Sequence, residues 1–86
     1  MPELSRFFGI VITMNFDDHS PPDFHARYAE HEASVGIDPI RILEGHLPAR
    51  AAGIVAEWAL LHESELLRNW SLVQHGKKPK RITPLG

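Results

Sequence analysis

The residues best suited to chemistry lie close together, in the run Asp17-Asp18-His19-Ser20-Pro21-Pro22-Asp23-Phe24-His25-Ala26-Arg27-Tyr28. Asp17, Asp18, His19, Asp23 and His25 can each bind a metal or carry a proton. Imidazole and carboxylate together suit zinc, nickel or iron. Histidine titrates near neutral pH, which also suits it to general acid–base work. The candidate metal set is His19, Asp23 and His25. The candidate acid and base are His19 and His25, with Arg27 placed to steady the charge that develops on a phosphate. If the Pro-Pro loop joins paired strands, the two imidazoles stand at opposite ends of a tight turn. The spacing follows no standard zinc pattern such as HExxH. A plainer account is a polar turn whose carboxylates satisfy loop N–H groups, with His25 on the solvent side of a strand.

A second pair lies downstream. His62 and Asn69 are seven residues apart, so on a helix they share a face, and that face also carries Val55, Trp58 and Leu66. Burying a polar side chain there costs about 1–3 kcal/mol unless it finds a partner. Two readings follow. Each side chain bonds a nearby backbone or polar group, or else Tyr28, Trp58, His62 and Asn69 border one ligand pocket shared with His19 and His25. His31 and His46 carry no such signal. His75 fits the end of a helix, where the dipole favours a cation.

The elements that must position these residues are read from periodicity. Residues 7–16 alternate as a strand, with Ile10, Ile12, Met14 and Phe16 against Val11, Thr13 and Asn15. The prolines at 21 and 22 place a loop after it. In residues 24–29, Phe24, Ala26 and Tyr28 share one face and His25 and Arg27 the other. Residues 31–37 make a further strand, Asp38-Pro39 a turn, and residues 40–44 a short fourth strand. From Pro48 the period becomes helical, and Ala51, Val55, Trp58, Ala59, Leu66 and Val73 form one apolar arc. Gly76 is a stop signal. A helix over 48–75 spans ~40 Å, which is long for so small a sheet and invites a break near His62–Ser64.

The expected architecture is a two-layer α+β domain. An antiparallel meander of three to four strands over residues 1–46 carries one long helix, 48–75, packed on one face, followed by a basic tail, 76–86. Val11, His25 and Arg27 fall on the face away from the helix and mark it as a binding surface.

Composition narrows the function classes. A chain of 86 residues with 43% hydrophobic and 23% charged residues is a single globular domain. The absence of cysteine excludes disulfides, thiolate metal sites and a cysteine nucleophile. Residues 1–48 carry a net charge of −5 and residues 49–86 carry +3, with Lys77, Lys78, Lys80 and Arg81 clustered in the tail. The apolar run Phe7 to Ile12 is too short to span a membrane and lacks a cleavage signature, so the expected location is cytoplasmic. No phosphate loop, nucleophile elbow or calcium loop occurs. Exposed aromatics are too few to form a base-stacking platform, although RNA remains a candidate partner through Arg27, Tyr28 and the tail. An open sheet edge and a long helix both allow a homodimer.

SRFFGIVITMNF, DDHSPPDFHARY, the ILEGHLP junction, AEWALLHESELLRNW and KRITPL together resemble a family of very short bacterial proteins catalogued only as a domain of unknown function. HSPPxFHA and EWAxLHxxELxxNW are its distinctive motifs. Members usually read PPHFHA, so Asp23 stands here where an imidazole is usual. The resemblance implies no established activity. It does imply a neighbouring gene for another small protein, an arrangement similar to toxin–antitoxin pairs, and hence a small protein partner. The expected function is therefore a protein-interaction module. The alternatives are a His-dependent, RNA-cleaving, toxin-like enzyme using His19, His25 and Arg27, or a metal-binding protein using the His19–His25 segment. No cofactor is required by the sequence, and a divalent metal is compatible with it.

Overall fold

The computed structural model describes residues 2–16 and 21–86. His19, on which the acid–base and metal expectations both draw, lies outside the described residues.

Five strands form one antiparallel sheet in the order of the chain: β1 (Glu3–Phe7), β2 (Ile10–Thr13), β3 (Asp23–Tyr28), β4 (His31–Ile37) and β5 (Ile40–Gly45). The sheet is thus a meander, as expected, but it has five strands where three or four were expected. The difference lies at the start of the chain. Residues 7–16 do not form one strand, because Phe8 (φ 50°) and Gly9 (φ 78°) turn the chain in two residues. Positive φ at both central positions matches the twist of a two-residue hairpin, and glycine reaches it without steric cost. The strand thereby created, β1, does not show in the alternation because it contains a bulge. Glu3 pairs with Thr13 and Ser5 with Ile12, leaving Leu4 as the extra residue. Leu4, Ser5 and Phe7 are buried as a result, while Glu3 and Arg6 are on the other side.

Two helices cover one face of the sheet: α1 (Ala49–Leu61) and α2 (Glu63–Gln74). The single long helix is therefore corrected to two, broken at His62 (φ −120°, ψ 25°) within the stretch where a break was invited. The His62 N–H is shared between the Trp58 and Ala59 carbonyls, at 3.1 and 3.2 Å. The longest dimension of the molecule is 33 Å. A straight helix of ~40 Å would overrun it, so the bend returns α2 to the core and packs it against β4.

The core lies between the layers. Trp58 is fully buried at its centre, with its ring 5.4 Å from that of Phe7 and 5.8 Å edge-on from that of Phe24. Leu4, Ile10, Ile12, Met14, Ala26, Ala33, Val35 and Ile37 pack from the sheet side, and Ala51, Val55, Ala59, Leu66 and Val73 from the helix side. The tail is not free in solution. The Ile82 N–H donates to the Leu4 carbonyl at 2.8 Å, the Trp58 indole N–H donates to the Thr83 carbonyl at 2.9 Å, and Ile82 is buried. The tail therefore straps β1 to both helices.

Candidate functional site

With one sheet face covered by helices, the side chains of opposite parity line the other. Cross-strand register sets them in rows. Glu3 pairs with Thr13, Thr13 with His25, His25 with Ser34 and Ser34 with Glu44, so a single polar row crosses all five strands. The adjacent row reads Arg6, Val11, Arg27 and Glu32. Paired positions stand about 4.5–5.5 Å apart, close enough for their side chains to meet. His25 is the middle of the first row. A depression of about 360 Å³, lined by Glu3, Arg6, Val11, Thr13, His25, Arg27 and Glu32, meets a second of about 270 Å³ at His25 and Glu32.

His25 has a polar neighbour at each ring nitrogen. Its Nε2 lies 3.2 Å from the Asn15 side-chain nitrogen, and its Nδ1 lies 3.7 Å from a Glu32 carboxylate oxygen. An amide N–H donates to a ring nitrogen that carries no proton, so this contact fits the tautomer with its proton on Nδ1. For His25 to take a proton at Nε2, the Asn15 bond must give way. Arg27 has no hydrogen-bond or ion-pair partner among the described residues, although Glu32 is opposite it in register. Arg6, in contrast, donates to both Glu3 carboxylate oxygens, at 2.8 and 3.3 Å. That contact holds the Glu3 carboxyl below the usual glutamate range and raises the Arg6 guanidinium.

Asp23 and His25, two of the three metal candidates, project to the same side of β3. Among the described residues no group of three or more His, Asp or Glu side chains could hold a metal ion. The four ligand-pocket candidates are distributed differently. Tyr28 is half-buried and lines a separate depression of about 370 Å³ with Phe8, Ile10, Pro48, Arg50, Ala51 and Ile54. Trp58 is a core residue. The His62 ring lies 5.5 Å from that of Trp58, and its Nδ1 is 2.6 Å from a Glu65 carboxylate oxygen. Asn69 is buried and engaged at both ends of its amide by the Lys80 backbone. Asn69 and His62 thus have polar partners within the chain, one of the two arrangements that the helical spacing allowed.

Sequence reasoning missed Thr13, Asn15, Glu32, Ser34 and Glu44 as neighbours of His25. Their parity was readable, since Thr13 and Asn15 alternate with the core residues Ile12 and Met14, and Glu32 and Ser34 with those of β4. What was missing is the pairing that aligns one strand on the next.

The fold and the site define a small two-layer α+β domain with one helix-covered and one open, polar sheet face. Residues 9–71 match the family model of a domain of unknown function, DUF4160, and the chain belongs to that family. No curated protein matches the chain, and no solved structure does. The matched span leaves out β1, the last turn of α2 and the tail, and β1 and the tail are tied to each other. Among the described residues no helix is long and apolar enough to cross a membrane.

Proposed function

We propose that the chain is a protein-interaction module whose contact surface is the open sheet face and whose partner is another small protein. The observation that carries this reading is the polar row Glu3, Thr13, His25, Ser34 and Glu44, fixed across five strands on a face that no element of the described chain covers. Charges held on a rigid sheet steer association and select a partner of complementary pattern more than they add bulk affinity. The neighbouring-gene arrangement implied by the family resemblance supports a protein partner. The test is light scattering on the purified chain mixed with the product of the adjacent gene at about 50 µM, well above the Kd of a specific complex. A defined complex is expected, and its absence removes the reading.

A second reading is favoured by the depression that His25 and Arg27 line together, Arg27 having no hydrogen-bond or ion-pair partner among the described residues. In it the Asn15 contact gives way, His25 Nε2 takes the 2′-hydroxyl proton of an RNA, the 2′ oxygen attacks phosphorus, and the bond to the 5′ oxygen breaks. His19 returns a proton to the leaving oxygen, and Arg27 answers the developing charge. His25→Ala should then abolish RNA cleavage with the fold intact, whereas equal cleavage by wild type and variant eliminates this role.

A further inference from the structure

We propose that the open face contains a recognition site for a single carboxylate, seated over Val11 between Arg6 and Arg27. The proposal rests on the interaction-module reading, under which the carboxylate is an Asp or Glu side chain of the partner.

Val11 is flanked in register by Arg6 on one side and Arg27 on the other. The two arginines leave strands that lie two spacings apart, about 10 Å, and both line the 360 Å³ depression together with Val11. A short apolar side chain between two long cationic ones leaves room for a small anionic group, and a guanidinium offers paired donors that match the two oxygens of a carboxylate.

The charges are unequally engaged. Glu3 accepts from Arg6 at 2.8 and 3.3 Å and also from Arg81 at 3.3 Å, so its negative charge is answered twice. Arg6 is thereby engaged through its Nε and one terminal nitrogen. Arg27 is answered by nothing among the described residues and is the cation available to a ligand. The same geometry limits how much negative charge can enter. Glu3 and Glu32 line the depression, and Glu44 ends the neighbouring row. A phosphate dianion or a run of RNA phosphates would set further negative charge against these carboxylates, while one carboxylate needs only Arg27 and the edge of Arg6.

The site is tested by NMR, following the Nε–Hε signals of Arg6 and Arg27 and the Val11 amide at constant ionic strength. The probes are acetyl-Gly-Glu-Gly-amide, its Gln counterpart, inorganic phosphate and hexauridylate. Saturable shifts are expected with the Glu peptide, weaker by about tenfold or more with the Gln peptide and for Arg27→Ala, and partly restored in Arg27→Lys, which keeps the charge without the fork. Tighter binding of phosphate or hexauridylate than of the Glu peptide overturns the proposal, as does equal binding of the Glu and Gln peptides. A parallel arm measures the complex with the adjacent gene product. Arg27→Glu should weaken it by about tenfold or more. A complex unaffected by Arg27→Glu refutes the carboxylate site and leaves the interaction-module reading standing. Peptide selectivity without any complex refutes that reading and leaves the carboxylate site in place.

Discussion

Asn69 and Lys80 are joined twice. The Asn69 side-chain N–H donates to the Lys80 carbonyl at 2.8 Å, and the Lys80 backbone N–H donates to Asn69 Oδ1 at 2.9 Å. One amide on α2 thus presents the donor and acceptor of a paired strand to an otherwise extended tail. Asn69→Ala removes both bonds from a buried position and should cost about 1–3 kcal/mol of stability in urea unfolding. The Ile82 amide, bonded to Leu4 in the same strap, should lose hydrogen-exchange protection before the sheet does. Unchanged exchange at Ile82 would show that the tail is held independently of Asn69.

Ser5 makes the opposite case. The bulge in β1 turns it into the core, where it is fully buried and its hydroxyl has no hydrogen-bond partner among the described residues. Ser5→Ala deletes only the unsatisfied hydroxyl, so it should be neutral or stabilise the chain by up to about 1 kcal/mol. A clear loss of stability on denaturant titration would mean that the hydroxyl has a partner.

Gly45 and Gly53 should respond to alanine with opposite signs. Gly45 ends β5 at φ +85°, and a Cβ there would run into the Glu32 carbonyl oxygen and lie 2.9 Å from Ala33 Cα. Both obstacles are backbone and cannot yield without opening the β4–β5 pairing, so Gly45→Ala should cost more than about 2 kcal/mol. Gly53 lies inside α1 with nothing near its missing Cβ, so Gly53→Ala should gain about 0.5–1 kcal/mol. Thermal unfolding of the two variants side by side checks both signs.

Glu3 links the open face to acid stability. Its carboxyl is held low first by the Arg6 hydrogen bond, with Arg81 adding to the effect. A pKa lower in the folded than in the unfolded chain means that the unfolded chain binds more protons. The resulting stabilisation is fully present above the unfolded glutamate pKa and is lost as pH falls through the lowered folded value. Arg6→Ala should move the Glu3 titration upward, toward the usual range, as followed by its carboxyl carbon signal. A midpoint that does not move would assign the depression to Arg81 instead.

Local pattern alone was enough for the two-layer plan, the bounds of β4, the apolar arc of the helices and the parity that sends Val11, His25 and Arg27 to the open face, and it put β3 one residue late, at 24–29 rather than Asp23–Tyr28. These depend on side-chain period, which is 2 in strands and about 3.6 in helices and can be read without knowing any partner. The rest needed contacts between distant segments. β1 was hidden because its bulge breaks the alternation that reveals a strand. The helix bends at His62 because the size of the fold limits how far a straight helix can run. His62 and Asn69 both stood out as polar residues on an apolar arc, but only the folded chain shows that Asn69 meets Lys80 and His62 meets Glu65. The candidate site shows the same division. His25 and Arg27 were visible as residue types, while Thr13, Ser34, Asn15 and Glu32 became their neighbours through strand register, a property of pairs of strands that no single segment encodes.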